Sequence, residues 1–205
     1  MPTHVPLFIL TTWLLAMLPG AGQALMVRQT LHGGLRTAWA SIAGTCAGLL
    51  VWTTAAAAGL SAVLLADPGA YTALRVAGGV VLAVLGVTTL WSARKSAPPN
   101  QRPERASGQW GAFAAGLATN LGNPKAGVFA VSLLPQFLTP DGPVLASSIA
   151  LGVLWAIVTG AWYLLFTWLV DRGRALVARP VVQRRLQLAT GGVLIVLGAA
   201  VAAGV

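Results

Sequence analysis

The sequence Asn120-Leu121-Gly122-Asn123-Pro124-Lys125 places two amides, a helix-breaking proline and a positive charge inside a long apolar stretch of the chain. A comparable interruption, Leu18-Pro19-Gly20-Ala21-Gly22-Gln23, lies inside the first apolar stretch. Because proline removes one hydrogen bond of a helix, each stretch is predicted to break there and to leave a backbone carbonyl free. Most of the amide and charged side chains within apolar stretches lie at these two points, which are therefore the candidate functional centre.

The chain has the composition of a membrane protein. Of its 205 residues, 57% are hydrophobic and 8% are charged, and the mean hydropathy is +0.78. Soluble domains carry roughly 25% charged residues, so a water-soluble single domain is excluded. The single cysteine, Cys46, excludes an internal disulfide, a thiol redox pair and a multi-cysteine metal site.

Six apolar runs are long enough to cross a bilayer as helices, since about 20 apolar residues span its hydrocarbon core. The linker between the third and fourth runs, residues 96–109, is rich in proline and charge. We therefore predict an all-α integral membrane protein of two three-helix halves, residues 1–95 and 110–205. The predicted spans are Val5–Val27, Thr37–Ala66, Val76–Ala93, Trp110–Leu134, Val144–Val170 and Leu186–Ala203.

The two halves are predicted to be inverted repeats, because halves with an odd number of spans insert with opposite orientation. Phe8 precedes Pro19 by eleven residues, and Phe113 precedes Pro124 by eleven. Both prolines therefore lie at equal depth in the first helix of their half. This arrangement is typical of transporters that bind their substrate between broken helices near the membrane midplane.

Positive charges predict the orientation, because basic residues accumulate in cytoplasmic loops. Eleven Lys and Arg residues fall in the loops after the first, third and fifth spans, whereas the opposite face carries only Arg75. Both termini are therefore predicted to lie outside the cytoplasm. The same placement accounts for most of the net charge of +9 and argues against nucleic-acid binding.

Lys125 is a charged residue within a predicted span core, where a charge costs about 2.5–3.5 kcal/mol. No Asp or Glu lies in a predicted span core to pair with it. Its candidate partners are backbone carbonyls, Asn120, Asn123, Gln23 or an anionic ligand. Snorkelling of Lys125 to an interface is the alternative, as is a simple packing kink for the glycines and prolines.

At these residues the sequence resembles the lysine-exporter (LysE/RhtB) family of amino-acid translocators, over nearly the whole chain. The resemblance implies export of amino acids or related small metabolites from the cytoplasm, across the plasma (inner) membrane of a bacterium and driven by the proton gradient. Ala21 and Gly22 stand where the family's Pro-Gly-Pro-Asn element has its second proline and its asparagine. The matching residues are Pro19-Gly20, Phe113, Gly116-Leu117, Asn120, Asn123-Pro124-Lys125 and Pro135-Gln136-Phe137.

The predicted substrate site combines both breaks. Lys125 is the expected partner of a substrate carboxylate, helped by backbone N–H groups exposed after each break. Freed carbonyls, with Asn120 and Asn123, are expected to accept hydrogen bonds from the ammonium. Lys125 is also the expected proton carrier. The predicted substrate-binding residues are Pro19, Gly20, Gly22, Gln23, Asn120, Asn123, Pro124, Lys125 and Gln136.

The expected partners are the lipid bilayer, a small amino acid and protons, with no catalytic residue, cofactor or metal ligand. Four alternatives stay open. Facilitated diffusion replaces proton coupling in the first. The second is export of a metal or another small solute, and the third is a membrane enzyme, although no metal cluster or nucleophile–base pair occurs in a span. In the fourth, the small-residue stripe Ala40, Gly44 and Gly48 forms a homodimer instead of packing within the chain.

Overall fold

A computed structural model describes residues 4–18, 20–66, 108–138 and 143–173, with single residues or pairs between 73 and 91 and between 181 and 203. No β-strand occurs in this part of the chain, and the single residues described in the last two regions are helical. A π-helical turn at Phe129–Leu133 and a 3-10 turn at Leu134–Phe137 follow the short helix that ends at Val128. The helices are α1 (Val5–Met17), α2 (Ala21–Ala66), α3 (Gln109–Leu121), α4 (Pro124–Val128) and α5 (Val144–Arg172).

The described helices have the lengths and surfaces of a membrane protein. Two of them, Ala21–Gly59 and Val144–Arg172, are long and apolar enough to cross a bilayer. Helix α5 leaves large apolar side chains such as Ile157 and Leu165 exposed along its outer face. Extended apolar surface of this kind is rare on soluble monomers and is suited to contact with lipid. The predicted all-α class is therefore correct for the described residues, and their long apolar helices are consistent with a membrane protein.

Both predicted helix breaks are present. Helix α1 ends at Met17 and α2 begins at Ala21, while α3 ends at Leu121 and α4 begins at Pro124. Pro124 occupies the first position of α4. Proline is favourable there because the N–H group that it lacks would form no hydrogen bond within the helix at that position. Pro19, the other predicted helix breaker, lies outside the described residues.

The predicted loop between the first two spans, residues 28–36, is wrong. The chain is helical on both sides of Gly34 and bends at that residue, whose φ is 76° and ψ 178°. This backbone region is almost restricted to glycine, because a Cβ atom would clash with the backbone. Helix α2 therefore consists of two limbs joined at one residue.

Helix α2 packs against α3 at very short range. A Cβ atom at Gly44 would overlap the backbone of Phe113, and one at Gly116 would overlap the backbone of Ser41. The Ser41 hydroxyl also donates a hydrogen bond to the Ala112 carbonyl at 2.8 Å. The small-residue stripe that includes Gly44 is therefore occupied by a helix of the same chain.

An aromatic cluster holds the segments around the breaks together. The ring of Phe8 in α1 lies 5.0 Å from that of Phe137 and 6.3 Å from that of Phe129, between ring centroids. Phe129 in turn contacts Trp155 of α5 at 4.6 Å. These four side chains are buried, and their packing fixes the segment after α4 against both α1 and α5.

Candidate functional site

The side chain of Lys125 joins the two helix breaks. The residue lies in the first turn of α4, just beyond the second break, but its ammonium reaches the end of α1 at the first. Nζ donates to the Leu15 carbonyl at 3.0 Å and to the Leu18 carbonyl at 3.5 Å. Carbonyls at a helix C-terminus lack intrahelical partners and carry the negative end of the helix dipole, so they stabilise the positive charge. Of the partners predicted for Lys125, the structure selects backbone carbonyls.

Gln23 donates hydrogen bonds to the two carbonyls that lie between those of Leu15 and Leu18. Its Nε2 donates to the Ala16 and Met17 carbonyls, each at 2.9 Å, and the side chain is buried. Together, Gln23 and Lys125 supply a side-chain donor to each carbonyl from residue 15 to residue 18. The amide nitrogen of Gln23 is therefore engaged in closing the first break.

Asn123 closes the second break from within its own sequence. Its Oδ1 accepts a hydrogen bond from the backbone N–H of Lys125 at 3.1 Å, which makes it the N-cap of α4. Its carbonyl accepts from the N–H groups of Ala126 and Gly127 at 3.0 and 3.3 Å. The N–H groups predicted to bind an anion at this break are therefore satisfied within the chain, and that part of the prediction is wrong.

A small cavity lies beside Lys125. Its volume is about 30 Å³, which is room for about two water molecules. Three of the predicted site residues, Asn120, Asn123 and Lys125, line this cavity together. Residues of α1, α2 and α5 complete its wall, among them Leu15, Thr45, Trp155, Thr159 and Tyr163.

The two predicted glycines have different surroundings. Gly20 is exposed, and a Cβ atom there would lie 4.0 Å from Nζ of Lys125. Gly22 is buried, and a Cβ atom there would lie 2.5 Å from the Tyr163 hydroxyl oxygen. The position of the Tyr163 side chain therefore depends on the absence of a side chain at residue 22.

Of the remaining predicted site residues, Gln23, Pro124 and Gln136 do not line the cavity, and Pro19 lies outside the described residues. Gln136 lies in the 3-10 turn and donates from Nε2 to the Ser132 carbonyl at 3.2 Å. Pro124 begins α4, and Gln23 closes the first break. The structure thus brings together the amides and the lysine of the second break, with the end of α1 alongside them.

Two buried oxygen atoms of the cavity wall have no hydrogen-bond partner within the described part of the chain. They are Oδ1 of Asn120 and Oγ1 of Thr159, whose residues are 6% and 5% exposed. Buried polar atoms in proteins are nearly always hydrogen-bonded. Unpartnered polar atoms grouped around one cavity, next to a positive charge, form a site suited to a polar ligand.

The contribution of α5 to this wall was missed in the sequence. Trp155, Thr159 and Tyr163 recur every four residues, which places them on one face of the helix. The same spacing occurs in every helix that packs against a neighbour, so it did not single out these three residues.

Comparisons with known proteins agree with this architecture. The family model for the LysE type translocator matches residues 13–204. The chain is 30% identical over 195 residues to the homoserine/homoserine lactone efflux protein of Salmonella typhimurium, covering 95% of this chain and 94% of that protein. It is 29% identical over 153 residues to the threonine efflux protein of Escherichia coli, covering 72% of each.

A further relative is the uncharacterized membrane protein YrhP of Bacillus subtilis. It is 25% identical over 197 residues, covering 90% of this chain and 91% of that protein. No solved structure matches the chain significantly.

Proposed function

The chain belongs to the LysE type translocator family, and we propose that it exports a small hydroxylated amino acid through the cavity beside Lys125. Its family and its efflux-named relatives make it an amino-acid exporter of the membrane and not an enzyme. Two of those relatives are named for homoserine and for threonine. These amino acids are isomers, and both carry a side-chain hydroxyl, which supports the proposed substrate class.

In this proposal Lys125 binds the substrate carboxylate. An ammonium has three hydrogen-bond donors, and two of them are directed at the Leu15 and Leu18 carbonyls. The third donor is available to a ligand, and no carboxylate among the described residues contacts Lys125. The position of this ammonium, at a cavity and without an acidic partner in that part of the chain, is the observation that carries the proposal.

The substrate ammonium binds to Asn120 in the same proposal. Asn120 lines the cavity, and its buried Oδ1 has no hydrogen-bond partner in the described ranges. The carbonyls of the first break are already engaged by Gln23 and Lys125. Oδ1 of Asn120 is therefore a better acceptor for the substrate ammonium than the freed carbonyls that were predicted from the sequence.

Transport requires the cavity to open, since about 30 Å³ is smaller than an amino acid and far below the several hundred Å³ of typical ligand pockets. We propose that six spans form two inverted repeats, residues 1–95 and 110–205, joined by a cytoplasmic linker at 96–109. Rocking of one repeat against the other would expose the site to each side in turn. The equal depth of the two prolines and the contact of Lys125 with the first break support this arrangement.

The direction and driving force complete the proposal. Both termini lie outside the cytoplasm in a bacterial inner membrane, an orientation supported by the eleven basic residues that lie at or between the predicted cytoplasmic ends of the spans. Export is coupled to the proton gradient, with Lys125 as the proton-carrying group. A single chain is the working unit, which the packing of the small-residue stripe against α3 supports.

Efflux from right-side-out vesicles preloaded with threonine or homoserine tests the proposal. Lys125→Met keeps apolar volume but removes the charge, so we expect export to be lost while the protein stays in the membrane. Lys125→Arg should also fail, because a planar guanidinium is larger and does not release its proton. Lys95→Met makes the same chemical change outside the predicted span cores and should export normally.

The same vesicles test the coupling. If protons drive export, an ionophore that collapses the proton gradient abolishes uphill efflux, whereas facilitated diffusion continues down a substrate gradient. Wild-type efflux rates in Lys125→Met, at equal protein level, would remove Lys125 from the mechanism.

A further inference from the structure

Thr159 differs from the other buried threonines of the described helices. Its Oγ1 forms no hydrogen bond in the described part of the chain, although the residue is 5% exposed. Donation to the carbonyl four residues earlier is the usual way in which a helical threonine satisfies its hydroxyl. At distances of 2.7–3.0 Å this bond is made by Thr12, Thr30, Thr37, Thr45, Thr53 and Thr167.

Thr159, whose hydroxyl has no partner in the described part of the chain, is one of the residues that line the cavity. Trp155 and Tyr163 line the same cavity one turn before and one turn after it on α5. Oδ1 of Asn120, the other unpartnered oxygen of this wall, belongs to α3. The wall therefore has a hydroxyl that can both donate and accept, set between two aromatic side chains.

We propose that Thr159 is a specificity-determining residue that binds the side-chain hydroxyl of the exported amino acid. This inference rests on the proposed function, in which Lys125 and Asn120 bind the two groups common to all amino acids. A third polar group in the same cavity is then available to bind the side chain, which distinguishes one amino acid from another. Because Thr159 forms no bond to its own helix, its hydroxyl gives up no hydrogen bond when it meets a ligand.

Tyr163 limits the size of the side chain that this subsite accepts. Its hydroxyl oxygen lies 2.5 Å from where a Cβ atom of Gly22 would be, so the ring extends from α5 to the start of α2. Trp155 is held by its contact with Phe129. A short hydroxylated side chain fits between these rings, whereas a long or aromatic one meets them.

The hydroxyl of Thr159 discriminates between amino acids with and without a side-chain hydroxyl. An apolar side chain of the same size would not supply the partner that a substrate hydroxyl gives to Thr159, and a buried polar group that stays unsatisfied in the complex weakens binding. Threonine and valine have nearly the same shape and differ in this group, so they form the sharpest substrate pair. We expect wild-type protein to export threonine about tenfold faster than valine at subsaturating concentration.

Thr159→Val, measured in the same vesicles, tests the proposal. We expect the threonine-to-valine ratio of export rates to fall about tenfold, while Thr159→Ser, which keeps the hydroxyl, retains most of the ratio. Thr167→Val is the matched control on the same helix, since Thr167 is buried and its hydroxyl is bonded to the Tyr163 carbonyl at 2.8 Å. That control should keep the wild-type ratio.

The outcomes separate this proposal from the one on which it rests. If wild-type protein exports neither amino acid, the proposed function fails. If wild-type protein exports both equally, or if Thr159→Val exports with an unchanged ratio, the role of Thr159 is overturned while amino-acid export stands. Should Thr159→Val fail to accumulate in the membrane, Thr159→Ala removes the same hydroxyl without adding volume and is measured in its place.

Discussion

The two helix breaks are closed in different ways. At the second break the bonds are mostly local, since Asn123 caps α4 and its own N–H donates to the Asn120 carbonyl at 3.0 Å. At the first break the carbonyls at the end of α1 depend on two side chains, Gln23 from the next helix and Lys125 from beyond the second break. The second break therefore forms from its own sequence, whereas the first requires the second half of the chain to be in place.

Lys125 takes part in both breaks by different groups. Its backbone N–H belongs to the cap of α4, and its ammonium belongs to the closure of α1. A ligand that competes for the ammonium would therefore loosen the first break and leave the cap of the second intact. The two breaks would then respond unequally to the same ligand.

Gln23→Leu should have the largest effect on stability. Leucine keeps the apolar volume but leaves the Ala16 and Met17 carbonyls without the donor that they have at 2.9 Å. Each unsatisfied buried polar group costs about 1–3 kcal/mol, so we expect the free energy of unfolding to fall by about 2–4 kcal/mol. Unfolding by dodecyl sulfate in mixed micelles, followed by tryptophan fluorescence, measures it.

Gln29→Leu is the control for that variant, because Gln29 is a second buried glutamine of α2 that bonds to neither carbonyl. It should lose much less stability. Equal losses in the two variants would mean that the first break does not depend on Gln23.

Gly22→Ala should have the next largest effect. The new Cβ atom would lie 2.5 Å from the Tyr163 hydroxyl oxygen and force that side chain to move. Overpacking costs about 1–3 kcal/mol, partly offset by the higher helix propensity of alanine. We expect a lower unfolding midpoint in micelles, together with slower export of threonine.

Gly20→Ala is the matched comparison at the same break. Its Cβ atom would make only an ordinary contact, 4.0 Å from Nζ of Lys125, at an exposed position. Stability should stay within about 0.5 kcal/mol of wild type. If Gly20→Ala destabilises the protein as much as Gly22→Ala, the contact with Tyr163 is not what requires glycine.

Asn123→Ala should destabilise the protein less than Gln23→Leu, because the second break has several local bonds besides this cap. Loss of an N-cap side chain typically costs about 1 kcal/mol, which the same micelle titration would detect. Asn123→Ser supplies a hydroxyl acceptor and should restore most of the loss. A cost above that of Gln23→Leu would reverse the order proposed for the two breaks.

The breaks themselves could be predicted from the sequence, because proline acts on the helix that contains it. The sequence also excluded an acidic partner for Lys125, because no Asp or Glu lies in a predicted span core. The loop assigned to residues 28–36 failed because Arg28 and Arg36 were treated as signs of a loop. Charged residues also occur on helices near a membrane surface, and the bend needs only Gly34.

The parts of the site that could not be predicted from the sequence depend on how helices distant in the chain pack together. Thr159 and Tyr163 lie in a helix without an internal break, and only the approach of α5 to α1 and α2 brings them to the cavity. Gln23 was predicted to bind substrate, but the angle between α1 and α2 directs its amide nitrogen to carbonyls six and seven residues earlier. Its role as a substrate ligand, like that of Gln136, stays a prediction.

The bend in α2 places an unusual demand on one residue. No described atom lies within 4 Å of the point that a Cβ atom of Gly34 would occupy, so an alanine there would touch no neighbour. The whole penalty, about 1–3 kcal/mol, would be torsional, and the chain would relieve it by changing the angle between the two limbs. One limb carries Gln23 and the other carries Thr45, so a single pair of backbone torsions sets the alignment of the first break with the cavity wall.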